Sequence, residues 1–111
     1  MHEIGLCETV LSVVEEQAAG KRVTGVRLRV GALHRVSPEA FDQNFSMVAA
    51  GSLADGATVE VVIVPVTGHC RECGHQWEAQ DQLPLCPGCD SMQVELSGGD
   101  ELLLESLVVE T

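Results

Sequence analysis

Four of the five cysteines fall in two matched pairs, Cys70-x2-Cys73 and Cys86-x2-Cys89, with twelve residues between them. Each C-x2-C pair makes a tight knuckle that delivers two sulfurs to one ion, and two knuckles close a tetrahedron. Zinc suits four thiolates. A closed site has no open position for a substrate, so the zinc at Cys70, Cys73, Cys86 and Cys89 is expected to be structural. Whatever the chain does must then be done elsewhere.

The other group with metal chemistry is the start, Met1-His2-Glu3. An α-amine has a pKa near ~8 and deprotonates readily. The His2 imidazole is a second nitrogen donor. The amide between them can lose its proton to a metal that prefers planar nitrogen ligation, closing two adjacent chelate rings, and the Glu3 amide nitrogen can fill the fourth corner. Such a square-planar set suits Ni(II) or Cu(II) and not zinc. The competing reading is a frayed terminus with a solvated histidine. The chemistry of three residues leaves both open.

The remaining candidates are weaker. His69 precedes Cys70 and His75 follows Cys73, placing both as neighbours of the zinc site or as alternate zinc ligands, since imidazole also suits zinc. Cys7, the unpaired cysteine, lies on an apolar helix stripe and is expected to be buried. His34 reads as a loop histidine, with a second nickel ligand as the other reading. Trp77, between the knuckles, is expected to pack over a metal module with little other core. The acids Glu60, Asp100, Glu101 and Glu105 form no paired-carboxylate site, and no nucleophile–base spacing is recognisable. Nothing supports catalysis.

Composition narrows the partners. The net charge of −11, from 17 acids against 6 bases, argues against nucleic acid, which requires a basic footprint. Five of the six bases fall between Lys21 and Arg35, as a solvated strand face or a docking patch for an acidic partner. No apolar run reaches the ~18 residues of a membrane span, and no secretory pattern is evident at the start. A cytoplasmic protein is expected, whose paired cysteines are metal ligands and not disulfides.

The elements that must position these groups follow from periodicity. Residues 3–19 carry Ile4, Cys7, Val10, Leu11, Val14 and Ala18 at helical spacing, with Gly20 as a stop. Val23 to Val30 alternates as a half-buried strand. Ser37-Pro38-Glu39 starts a second helix, with Phe41, Phe45, Val48 and Ala49 on one face. Thr58 to Val66 is a β-branched strand, the metal segment follows, and Leu102 to Val109 is a last strand. The expected fold is α+β: two helices packed on a small three-stranded sheet, with an inserted four-cysteine zinc ribbon. The expected domains are 1–66 plus 98–111 for the α/β part and 67–97 for the ribbon.

The motifs in this order resemble one family. Met1-His2-Glu3 running into an amphipathic helix, Val26-Arg27-Leu28-Arg29-Val30-Gly31, Val36-Ser37-Pro38-Glu39, Gly56-Ala57, the two cysteine pairs and Gly99-Asp100-Glu101-Leu102 are together similar to the HypA/HybF nickel-insertion proteins. The resemblance covers the whole chain. It implies a metallochaperone and not an enzyme, with Ni2+ as transient cargo bound at Met1, His2 and Glu3 and Zn2+ as a structural ion. It implies a HypB-type GTPase and the large subunit of [NiFe]-hydrogenase as partners, with urease maturation factors and a second copy of the chain as further ones. It also implies that Glu3 bears on partner choice or nickel delivery. Two alternatives remain at this point: a zinc-ribbon adaptor that binds protein without exchangeable metal, and a rubredoxin-like iron carrier, which leaves the long α/β portion unexplained.

Overall fold

A computed structural model describes residues 3–110. The order is α1 (Glu3–Ala18), β1 (Val23–Gly31), a 3-10 turn (Ala32–His34), α2 (Pro38–Val48), β2 (Thr58–Val64), β3 (Val66–Cys70), β4 (Gln76–Ala79), β5 (Val94–Ser97) and β6 (Leu102–Val109). Two three-stranded sheets form, ordered β2-β1-β6 and β4-β3-β5. The architecture is the α+β one expected, with both helices, the three-stranded sheet and a small second sheet carrying the cysteines.

The chain folds as two compact units. The first takes residues up to Arg29, Val36–Val62 and everything from Leu102 onward, and the second takes Val30–Arg35 with Ile63–Glu101.

In the first unit α1 lies against α2 and β6. Its buried row is Leu6, Val10, Val14 and Ala18 at four-residue steps, joined by Cys7. Ile4, expected on the stripe, is 48% exposed, and Leu6 takes its place. The physical reason is the row itself: Leu6 stands one step above Val10 on the same face, whereas Ile4 is rotated off it. Phe41 and Phe45 of α2 are buried, with ring centroids 6.2 Å apart. Val23, Val26 and Leu28 of β1 complete the core. On the other face of the sheet Arg27 bridges Glu105 at 3.1 Å and Glu60 at 3.9 Å. The basic run is thus a solvated strand face for Arg27, and such exposed pairs contribute little, about 0–1 kcal/mol each. β1 and β6 are antiparallel: Glu110 donates its N–H to the Arg22 carbonyl, and Thr24 donates its hydroxyl to that of Val108.

The strand expected over Thr58 to Val66 is interrupted. Pro65 has no N–H to give a ladder, so β2 stops at Val64 and β3 begins at Val66 in the other sheet. In the second unit β3 is central and pairs antiparallel with both neighbours, Gly68 facing Trp77 of β4 and Leu96 of β5. The exit of the metal segment is tied to Val30–Arg35 by backbone bonds: Gly31 donates to Glu101 and Leu33 to Gly99. A side chain at Gly31 would overlap the Gly99 carbonyl, so only glycine permits this approach. The His34 Nε2–H donates to the Asp100 carbonyl at 2.9 Å, which makes His34 part of the same tie.

Candidate metal centre

The two cysteine pairs are built on one template. Cys70 N–H donates to the His75 carbonyl, and Gly74 N–H returns to the Cys70 carbonyl. Sixteen positions later Cys86 N–H donates to the Ser91 carbonyl, and Asp90 N–H returns to Cys86. In both turns the residue after the second cysteine has positive φ, Gly74 at 78° and Asp90 at 62°. Glycine adopts that conformation freely, and Asp is among the few other residues that tolerate it. In each knuckle a backbone N–H also points at a sulfur: Cys73 N–H at Cys70 Sγ, 3.4 Å, and Gly88 N–H at Cys86 Sγ, 3.3 Å. Such bonds stabilise thiolate.

The four sulfurs converge. All lie within 4.8 Å of one another, and among the described residues this is the one cluster of three or more metal-ligating side chains. Cys70 Sγ is 3.7 Å from Cys89 Sγ, and Cys73 Sγ is 3.6 Å from Cys86 Sγ. A disulfide would require about 2.05 Å. A tetrahedron with metal–sulfur bonds of about 2.3 Å has edges of about 3.8 Å. The spacing therefore fits one tetrahedral ion, and the donor set fits zinc.

The electrostatics point the same way. The backbone N–H of Cys73 is the largest cause holding the Cys70 thiol down at about 6. At Cys89 the Ser91 N–H pulls downward, but desolvation and the sulfurs of Cys73, Cys70 and Cys86 push the thiol to about 12. Cys73 also ends above its ordinary value: the His75 N–H lowers it, while desolvation and the Cys86 sulfur raise it further. Four sulfurs this close carry charge together only around a cation. Cys70 and Cys86 are buried, while Cys73 and Cys89 lie at the surface, where an incoming ion reaches them first.

The two neighbouring histidines differ. His75 stacks on Trp77, with centroids 5.7 Å apart and planes 16° from parallel, and its ring lies beside the Gly88 backbone of the second knuckle. His69 is exposed on β3 between Gln76 and Glu95. Neither imidazole belongs to the sulfur cluster. Trp77 covers Gly68, where any Cβ would overlap its ring, so the tryptophan does pack over the ribbon sheet.

Cys7 is fully buried, and its S–H faces the Phe41 carbonyl at 3.8 Å. Burial first, and the Glu3 charge second, push its thiol up to about 11. It is an inert core residue. Of the N-terminal group, Met1 and His2 lie outside the described residues. Glu3 opens α1 with both carboxylate oxygens engaged, Oε1 by the Ser37 N–H at 3.1 Å and Oε2 by the Asn44 side-chain amide at 3.4 Å. Nothing in the sequence marks Ser37 or Asn44 as its partners, because they lie 34 and 41 residues away.

Comparison with known proteins accounts for nearly the whole chain. The family model described as hydrogenase/urease nickel incorporation, metallochaperone, HypA matches residues 1–109. A hydrogenase maturation factor HypA of Acidithiobacillus ferrooxidans is 39% identical, over 99% of this chain and 100% of that protein. One of Alkalilimnicola ehrlichii is 40% identical over the same shares. In fold the chain is similar to the solution structure of the nickel metallochaperone HypA from Helicobacter pylori, with a TM-score of 0.65 and 24% identity over 98% of this chain and 97% of that one.

Proposed function

The chain belongs to the HypA family of hydrogenase/urease nickel-incorporation metallochaperones, and from that premise we propose that it carries Ni(II) at Met1-His2-Glu3 and hands it to a maturing [NiFe]-hydrogenase. The observation that carries this reading is the family match beginning at residue 1, so that the planar nitrogen donor set lies inside it. The four-cysteine centre holds zinc and keeps the second unit folded. The nickel function belongs to residues 1–66 with 98–111 and the ribbon to 67–97. The partners are a HypB-type GTPase and the hydrogenase large subunit, in the cytoplasm.

The chemistry of the donors explains carrying rather than keeping. An α-amine, an imidazole and backbone amides are donors from three consecutive residues, and a weak site of this kind gives up its ion at low cost when a partner offers better ligands. Each donor must be deprotonated, so acid strips the ion. Affinity alone cannot select nickel, since Cu(II) outranks it at nitrogen sites. Selectivity then rests on partner contacts and on which ions are available.

The test is a nickel titration of the untagged, zinc-loaded protein beside His2→Ala. One nickel per chain with a square-planar d–d band in the first, and none in the second, is the expected result. A His2→Ala protein that still takes one nickel would sink the site. A residue added before Met1 should abolish binding as well, whereas a zinc-ribbon adaptor would be indifferent to it.

A further inference from the structure

The two oxygens of the Glu3 carboxylate are committed to one face of α2. Oε1 accepts from the backbone N–H of Ser37, the N-cap of that helix, and Oε2 accepts from Asn44 Nδ2 two turns further along. Ser37 in turn accepts from the Ala40 N–H through its hydroxyl. This is a capping box with one part supplied from a distance. In the local form a Glu or Gln at the third helical position reaches back to the N-cap N–H. Here that position is Ala40, which has no acceptor, and Glu3 of α1 supplies the carboxylate instead. A negative group at a helix N-terminus is also favoured by the helix dipole.

The arrangement separates two roles within one residue. The backbone nitrogen of Glu3 belongs to the chain that would wrap nickel, while its side chain is held by another helix. We propose that Glu3 is a positioning residue: its carboxylate, clamped by Ser37 N–H and Asn44, fixes the Glu3 end of the Met1-His2-Glu3 donor set against α2 and does not itself ligate nickel. The proposal rests on the nickel reading above. Fixing one end of a three-residue chelate removes part of the entropy lost on binding, so the clamp tightens the site and slows release. It also makes Asn44, with no ligand atom in the site, a determinant of nickel handling.

A carboxylate ligand and a carboxylate clamp give opposite mutant patterns. Glu3→Gln keeps an oxygen for the Ser37 N–H and an amide for Asn44, which can turn its own amide to match. Asn44→Ala keeps the carboxylate and loses half of its hold. For a clamp, transfer of nickel to a chelator in excess should be about three- to tenfold faster in Asn44→Ala and Glu3→Ala and within about twofold of wild type in Glu3→Gln, with the d–d band unmoved in all three. Loss of binding in Glu3→Gln with normal release in Asn44→Ala would make Glu3 a ligand and overturn the proposal. Amide exchange of the zinc-loaded, nickel-free protein reads the clamp alone: the Ser37 N–H should exchange at least about tenfold faster in Glu3→Ala than in wild type. Unchanged exchange overturns the clamp whatever nickel does. Faster exchange in a protein whose wild type takes no nickel overturns the positioning role through failure of the nickel reading.

Discussion

Single residues decide whether the cysteine centre and the proposed nickel site are usable, and they differ in how far their types disclose that. The cysteine pairs are readable because metal geometry fixes their spacing and the knuckle fixes the rest. Asp90 is less so: it occupies the left-handed position that Gly74 fills in the first knuckle, and nothing local marks it. The Glu3 clamp is invisible in the sequence, since an acid in a first helical turn is ordinary and its partners come from another helix. Cys7 shows what burial does to a nucleophile. With its thiol raised from 9.0 to about 11, the folded chain holds a proton that the unfolded chain has lost between those values. The sign follows from linkage: folding stability contributed by Cys7 is intact below about 9 and falls as pH rises toward about 11. Urea unfolding followed across that range should show the decline, and Cys7→Ala should remove that component. Gly68 makes a sharper case. A methyl there drives into the Trp77 ring, so Gly68→Ala should displace the tryptophan, shift its emission to the red and cost the ribbon about 1–3 kcal/mol. An unchanged spectrum would mean that the ring keeps its place and the strand backbone gives way instead.

At the scale of elements, legibility tracks length and period. The two helices and the β1, β2 and β6 strands follow from apolar patterns of seven residues or more. The ribbon strands β3, β4 and β5 do not: they are four or five residues long, and β4 offers little beyond Gln76-Trp77-Glu78-Ala79. Their order is imposed by the knuckles and Trp77, not by a continuous apolar face. The tie between Val30–Arg35 and the ribbon exit is made of two backbone bonds and one from the His34 ring, a lone loop histidine, so no sequence pattern announces it. Helix α2 gives a direct test of local coding. Its start combines a Ser37 hydroxyl accepting from Ala40 with Pro38 at the first position. Ser37→Ala should cost about 1 kcal/mol, because one helix-end N–H loses its acceptor. The loss should appear in far-UV circular dichroism of the thermal transition. The Glu3 bond to the Ser37 backbone survives this substitution, so the helix should shorten at its start without leaving α1.

For the molecule as a whole, the question is what metal removal does to two units with separate cores. The first buries Leu6, Val10, Val14, Leu28, Phe41 and Phe45 and needs no ion. The second has only Val30, Ala32, Val66, Cys70 and Cys86 as its buried side chains beside a half-exposed tryptophan, too little apolar surface to order its chain unaided. Its folding free energy must come mainly from the metal. The chain provides one probe for each. Both α-helices lie in the first unit, so ellipticity at 222 nm reports on it, and Trp77, the only tryptophan, reports on the second. A strong zinc chelator, or Cys73→Ala, should shift the Trp77 emission toward that of a solvated indole while leaving most of the helical signal in place. Restoring zinc should bring the emission back after chelation but not in the variant. Loss of both signals in one transition would show that the units fold as a single cooperative body, and that the four-cysteine centre supports the proposed nickel site through the fold itself. Separate transitions would leave the acidic first unit folded without zinc, and nickel binding at the terminus could then be measured in its absence.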